Sequence, residues 1–142
     1  MKRAALAGLV ALALALPAHA QEAPSWSGEA SGMFNLLPDE SDFVQPTLRL
    51  DRGRLHLETR YNYEDLESVS LFAGANFEWG DEVVFALTPI LGGVVGLTDG
   101  IIPGFEADLT AGNFEAYGEA EYVFALGDDG EDYFYMWSEL SL

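Results

Sequence analysis

His56, Glu58 and Arg60 stand two residues apart, separated by Leu57 and Thr59 and flanked by Leu55 and Tyr61. In an extended strand a spacing of two puts side chains on one face, so an imidazole, a carboxylate and a guanidinium would share a surface. A histidine next to a glutamate is the pairing of a general base. Such a base needs a nucleophile to activate, and no Ser stands beside His56. His56 is therefore read as a hydrogen-bonded structural residue, and no enzyme activity is expected. Arg49, Glu106, Asp108, Glu115, Glu119 and Glu121 recur at the same spacing in other segments. Together with His56, Glu58 and Arg60 they predict a polar network on one face of a sheet, paired because buried charges must be paired. In a wider barrel the same groups would line an ion path. No metal site or cofactor is expected. There is no cysteine, and the acidic run Asp128-Asp129-Gly130-Glu131-Asp132 lacks the ligand spacing of a calcium loop.

The elements that would position these groups are strands. Hydrophobic periodicity is close to two along nearly the whole chain. It predicts eight strands, at residues 25–36, 43–50, 55–63, 69–79, 83–91, 105–110, 114–124 and 133–142. Most have the length that a tilted transmembrane strand requires. The facing of the fifth and eighth is ambiguous, since both of their faces carry apolar or aromatic residues. Tight turns with Gly, Asn and Asp are expected at 51–54, 80–82 and 111–113. Longer links are expected at 37–42, 65–67, 92–104 and 127–132, the third rich in glycine. Alternating short and long connections are what a meander through a membrane gives, with short periplasmic turns and longer outer loops.

Residues 1–20 read as a secretory signal peptide: Lys2 and Arg3, an apolar run from Ala4 to Leu16, then Pro17-Ala18-His19-Ala20 before a cut at Gln21. Residues 21–142 then form one β-barrel domain. In that domain four arginines face 24 acidic residues, which leaves a formal charge of −20. Binding to nucleic acid phosphates, which needs clustered cations, is excluded on that balance.

Two all-β architectures share this pattern. A soluble periplasmic lipocalin-like carrier turns its apolar face inward around a ligand; an antiparallel up-and-down transmembrane β-barrel turns it outward to lipid. The aromatic residues favour the membrane. Trp26, Phe34, Tyr61, Tyr63, Phe77, Trp79, Tyr122 and Phe124 fall near the ends of apolar faces, as membrane-interface girdles do, with Gly and Ala between them. The acidic segments Pro38-Asp39-Glu40, Glu64-Asp65 and 128–132 suit an external rim. The expectation is a structural or porin-like protein of a Gram-negative outer membrane, with membrane lipid and the barrel-assembly machinery as partners. A lipid-modifying barrel enzyme using His56 is the alternative with chemistry.

The segments Gly92-Gly93-Val94-Val95-Gly96-Leu97-Thr98-Asp99-Gly100-Ile101-Ile102-Pro103-Gly104, Glu119-Ala120-Glu121-Tyr122-Val123-Phe124 and Tyr133-Phe134-Tyr135-Met136-Trp137-Ser138-Glu139-Leu140 resemble a group of uncharacterised bacterial outer-membrane β-barrel proteins. Members of that group continue past the Trp-Ser-Glu-Leu string with further strands and finish on an aromatic residue. The resemblance thus implies part of a larger barrel. Hydrogen-bond accounting in lipid, where every strand edge must be paired, allows a second outcome: segment 133–142 closes on segment 25–36.

Overall fold

A computed structural model describes residues 24–142; the expected signal peptide lies outside the described residues. The strands are β1 (Trp26–Asn35), β2 (Phe43–Arg52), β3 (Leu55–Tyr61), β4 (Val69–Ala75), β5 (Phe77–Trp79), β6 (Val83–Val95), β7 (Gly100–Ala111), β8 (Phe114–Ala125) and β9 (Tyr133–Ser141). They form one antiparallel sheet in the order β1-β2-β3-β4-β6-β7-β8-β9, with β5 also on β6. Gly74 lies opposite Ile90 and Phe77 opposite Leu87. One register therefore runs through β4 and β5, which are the expected fourth strand interrupted at Asn76.

The sheet is curved, and register with burial assigns its two faces. On the convex side stand Trp26, Leu48, Leu57, Leu71, Leu91, Phe105, Tyr122 and Phe134 with their register neighbours. Leu71 is 65% exposed and Leu91 59%. Arg52, at the end of β2, is the sole charged side chain that the strands turn to this side. The concave side collects the charges. It also resolves the two ambiguous strands. Thr88, Ile90 and Val94 of β6 point inward and Phe85, Leu91 and Val95 outward; Tyr133 and Tyr135 of β9 point inward and Phe134, Met136 and Leu140 outward.

Two expectations are corrected. The glycine-rich stretch 92–104 is strand except for residues 96–99, because its glycines make room inside the sheet. A Cβ on Gly92 would strike the Phe72 ring, and one on Gly104 would come within 2.7 Å of Glu121 Cγ. The third expected strand ends at Tyr61, since Asn62 takes a φ of 56° and ties the following loop down by accepting the Glu67 amide at 2.7 Å. Of the two outcomes allowed for the barrel, the eight-strand closure is not formed. Among the described residues β1 bonds only β2 and β9 only β8, so the sheet is an open half-barrel.

Candidate functional site

The concave face is filled in two ways. Toward the 96–99 loop an apolar cluster of Phe72, Ile90, Val94, Ile102 and Val123 is buried, with Tyr133 packed against it. Beyond Phe72 the filling is ionic and centres on Arg60, whose residue exposure is 1%. Its guanidinium lies between two rings, with Cζ 4.4 Å from the Phe72 centroid and 4.5 Å from that of Tyr63. In the plane left open it meets carboxylates. Nε donates to Glu58, and Nη1 donates to Glu121 at 2.6 Å and to Glu64 at 3.1 Å. Nη2 is 3.6 Å from Glu106 and 3.7 Å from Glu119.

Arg49, one strand over, extends the network. Its Nε donates to Glu58 Oε2 at 2.9 Å and its Nη2 to Glu106 Oε1 at 3.1 Å. The Tyr117 hydroxyl also accepts from Nη2, at 3.3 Å, and donates to Glu119 at 2.7 Å. Glu58 thus sits between two arginines on adjacent strands, and Glu106, Glu119 and Glu121 reach them from β7 and β8. Side chains bridge the concavity from β2 and β3 to β7 and β8. Burying this many carboxylates costs several kcal/mol per ion unless each is paired, and the arginines supply forked donors suited to that.

His56 is oriented by two carboxylates, with Nδ1 2.8 Å from Asp51 Oδ1 and Nε2 3.3 Å from Glu58 Oε2. Both ring nitrogens are engaged, and among the described residues no hydroxyl lies within hydrogen-bond reach of either. The ligating atoms of His56, Glu58 and Glu106 fall within 4.8 Å of one another, a spacing that a divalent ion accepts. Arg49 already bridges the two carboxylates of that group. Its guanidinium thus supplies a positive charge shared by both.

Of the residues expected in the network, Arg49, His56, Glu58, Arg60, Glu106, Glu119 and Glu121 are brought together. Asp108 and Glu115 face the same side but stand apart, lining a cavity of about 430 Å³ with Glu139 near the 111–114 turn. Asp108 also borders a larger polar cavity of about 530 Å³, with Asp51, His56, Asn76 and Glu106. Seven of the eight expected girdle aromatics are on the convex side. Tyr63 is the exception. The break at Asn62 swings it inward, where its hydroxyl donates to Glu119 and lies 3.2 Å from that of Tyr135. Burial, and then the adjacent Glu119 carboxylate, hold its phenol well above the ordinary tyrosine range. Glu64 is corrected likewise. Expected on the external rim, its side chain is 2% exposed and paired with Arg60. Tyr117 was legible as a polar-face residue of its strand; nothing local marks Tyr63 or Glu64 as inward.

No family model, curated protein or solved structure matches the chain. The geometry alone carries the functional reading.

Proposed function

We propose that this chain forms the wall of an outer-membrane β-barrel, structural or porin-like, with no catalytic role for His56. One observation carries the reading: polarity is inverted relative to a water-soluble barrel. The convex strand faces hold a single charged side chain, Arg52 at a strand end, while the buried concave face holds Arg60, Glu58, Glu106, Glu119 and Glu121. Monomeric soluble proteins rarely expose apolar patches beyond a few hundred Å². Aromatic spacing supports the same reading. On β8, Phe114 and Phe124 mark the two ends of the outer face. Ten residues at about 3.3 Å each, tilted about 40°, span about 25 Å, which matches the apolar band of such barrels.

The open edges fit a wall that further antiparallel strands complete at β1 and β9, since unpaired backbone groups cost several kcal/mol each in lipid. The side chains packed around Arg60 support a structural role for this part of the wall, and a wider barrel completed at β1 and β9 would leave room beside them for a porin-like lumen. Fractionation of expressing cells is the test. The mature protein is expected in the outer membrane, soluble only with detergent; recovery from a detergent-free periplasmic extract overturns the proposal and favours a soluble carrier.

A further inference from the structure

Four arginines supply all the side-chain cations of the described residues apart from any charge on His56, and they divide into two pairs. Arg49 and Arg60 are consumed by the buried carboxylates. Arg52 and Arg54 lie at the β2–β3 turn, both exposed, and among the described residues neither makes an ion pair. Each guanidinium rests on an outward ring instead: Arg52 Cζ is 5.7 Å from the Trp26 centroid and Arg54 Cζ is 5.3 Å from that of Phe77. Arg52 Nε donates to the Pro24 carbonyl at 3.1 Å, which leaves its two terminal nitrogens to point elsewhere. Among the described residues these are the two exposed arginines, and they lie at the rim of the apolar face.

On the same hairpin the convex face is grooved. A cleft of about 320 Å³ is lined by Leu48, Leu50, Leu57, Thr59 and Leu71, together with parts of Glu58 and Phe72, whose side chains turn to the concave side. It exists because Thr59, opposite Leu48 on one side and Leu71 on the other, puts a short side chain between long ones. Leu50 and Leu57 are register partners, two and three residues from the arginines, or about 7–10 Å of strand. An anion-binding rim therefore opens within a few residues onto an apolar channel. Free phosphate would use the rim and ignore the channel; a lipid uses both.

The geometry points to a bound anionic phospholipid, its phosphate held by the exposed guanidinium groups of the β2–β3 turn and an acyl chain laid in the Leu48–Leu71 groove. This rests on the outer-membrane reading. The short turn between β2 and β3 is on the side expected to face the periplasm, where the inner-leaflet headgroups lie.

The test uses the full chain, extracted in mild detergent from outer membranes of expressing cells and titrated with phosphatidylglycerol or phosphatidylcholine under native mass spectrometry. Phosphatidylglycerol is expected to bind preferentially. Arg52→Gln and Arg54→Gln should each weaken it about fivefold, and the pair about 30-fold; the double lysine variant should retain most of the affinity. Thr59→Phe fills the groove without touching charge and should weaken the lipid while leaving the arginines in place. Arg52 and Arg54 are exposed and Thr59 is half-buried at the groove, so all variants should reach the membrane as the parent does; should the glutamine pair fail to, the lysine pair and Thr59→Phe still decide. Equal binding of the two lipids, unchanged affinity in the glutamine pair, or competition by inorganic phosphate at the lipid's own concentration overturns the lipid site and leaves the membrane reading standing. Recovery in the soluble fraction overturns both.

Discussion

The two halves of the concave face are buried to a similar degree by opposite means. Around Ile102 and Val94, burial of apolar surface is itself the driving force, worth about 25 cal/mol per Å². Around Arg60, burial opposes stability and is offset by the carboxylates that pair with Nε and Nη1, while Nη2 is buried without a hydrogen bond. Phe72 joins the two, packing with Ile90 on one side and covering the Arg60 guanidinium on the other. The apolar half should therefore lose stability in proportion to the volume removed, whereas the ionic half should fail when one partner is lost and tolerate the loss of several.

Arg60→Met separates the two halves most sharply. It strands Glu58, Glu64 and Glu121 without their shared donor, and the expected cost is about 3–5 kcal/mol in denaturant unfolding of the detergent-solubilised protein. Neutralising the stranded acids as well, with Glu58→Gln and Glu121→Gln, should recover much of that loss; no recovery would mean that Arg60 acts through packing. The single variant should also gain stability as pH is lowered toward the carboxylate range, because protonation relieves the crowded negative charge in the folded state more than in the unfolded one.

In the apolar half, Ile102→Ala should cost about 2–4 kcal/mol through lost transfer energy and a cavity, with no comparable pH dependence. A pH-dependent loss there would erase the distinction. A charge placed on the opposite face sharpens it from outside. Leu91→Arg should cost about 2–4 kcal/mol if that face meets hydrocarbon, measured by reversible unfolding into and out of lipid vesicles. In water an arginine at so exposed a position would stay within about 0.5 kcal/mol of the parent. The smallest effect belongs to Tyr63→Phe, which removes one donor to Glu119 while Tyr117 still supplies another. About 1 kcal/mol is expected from the same unfolding assay, and an unchanged midpoint would return Tyr63 to a merely covering role.

The sequence by itself determined what repeats locally. Alternation with period two follows from strand geometry, so most of the strands, and the division of Leu57, Phe105 and Tyr122 to one face and Glu58, Arg60, Glu106 and Glu119 to the other, could be read residue by residue. The turn at Gly53, with its φ of 58°, was equally legible, because a left-handed position favours glycine wherever it occurs. Gly92 and Gly104 misled for the opposite reason: they serve the space taken by Phe72 and Glu121 on neighbouring strands, which no local pattern records. Only the tertiary structure decided that Arg60 lies between the Phe72 and Tyr63 rings, that Glu64 leaves its loop to pair with it, and that β1 and β9 remain unpaired edges. Each depends on register and curvature accumulated across the sheet, so partners 60 or more residues apart, such as Arg60 and Glu121, meet only when every intervening strand is in place.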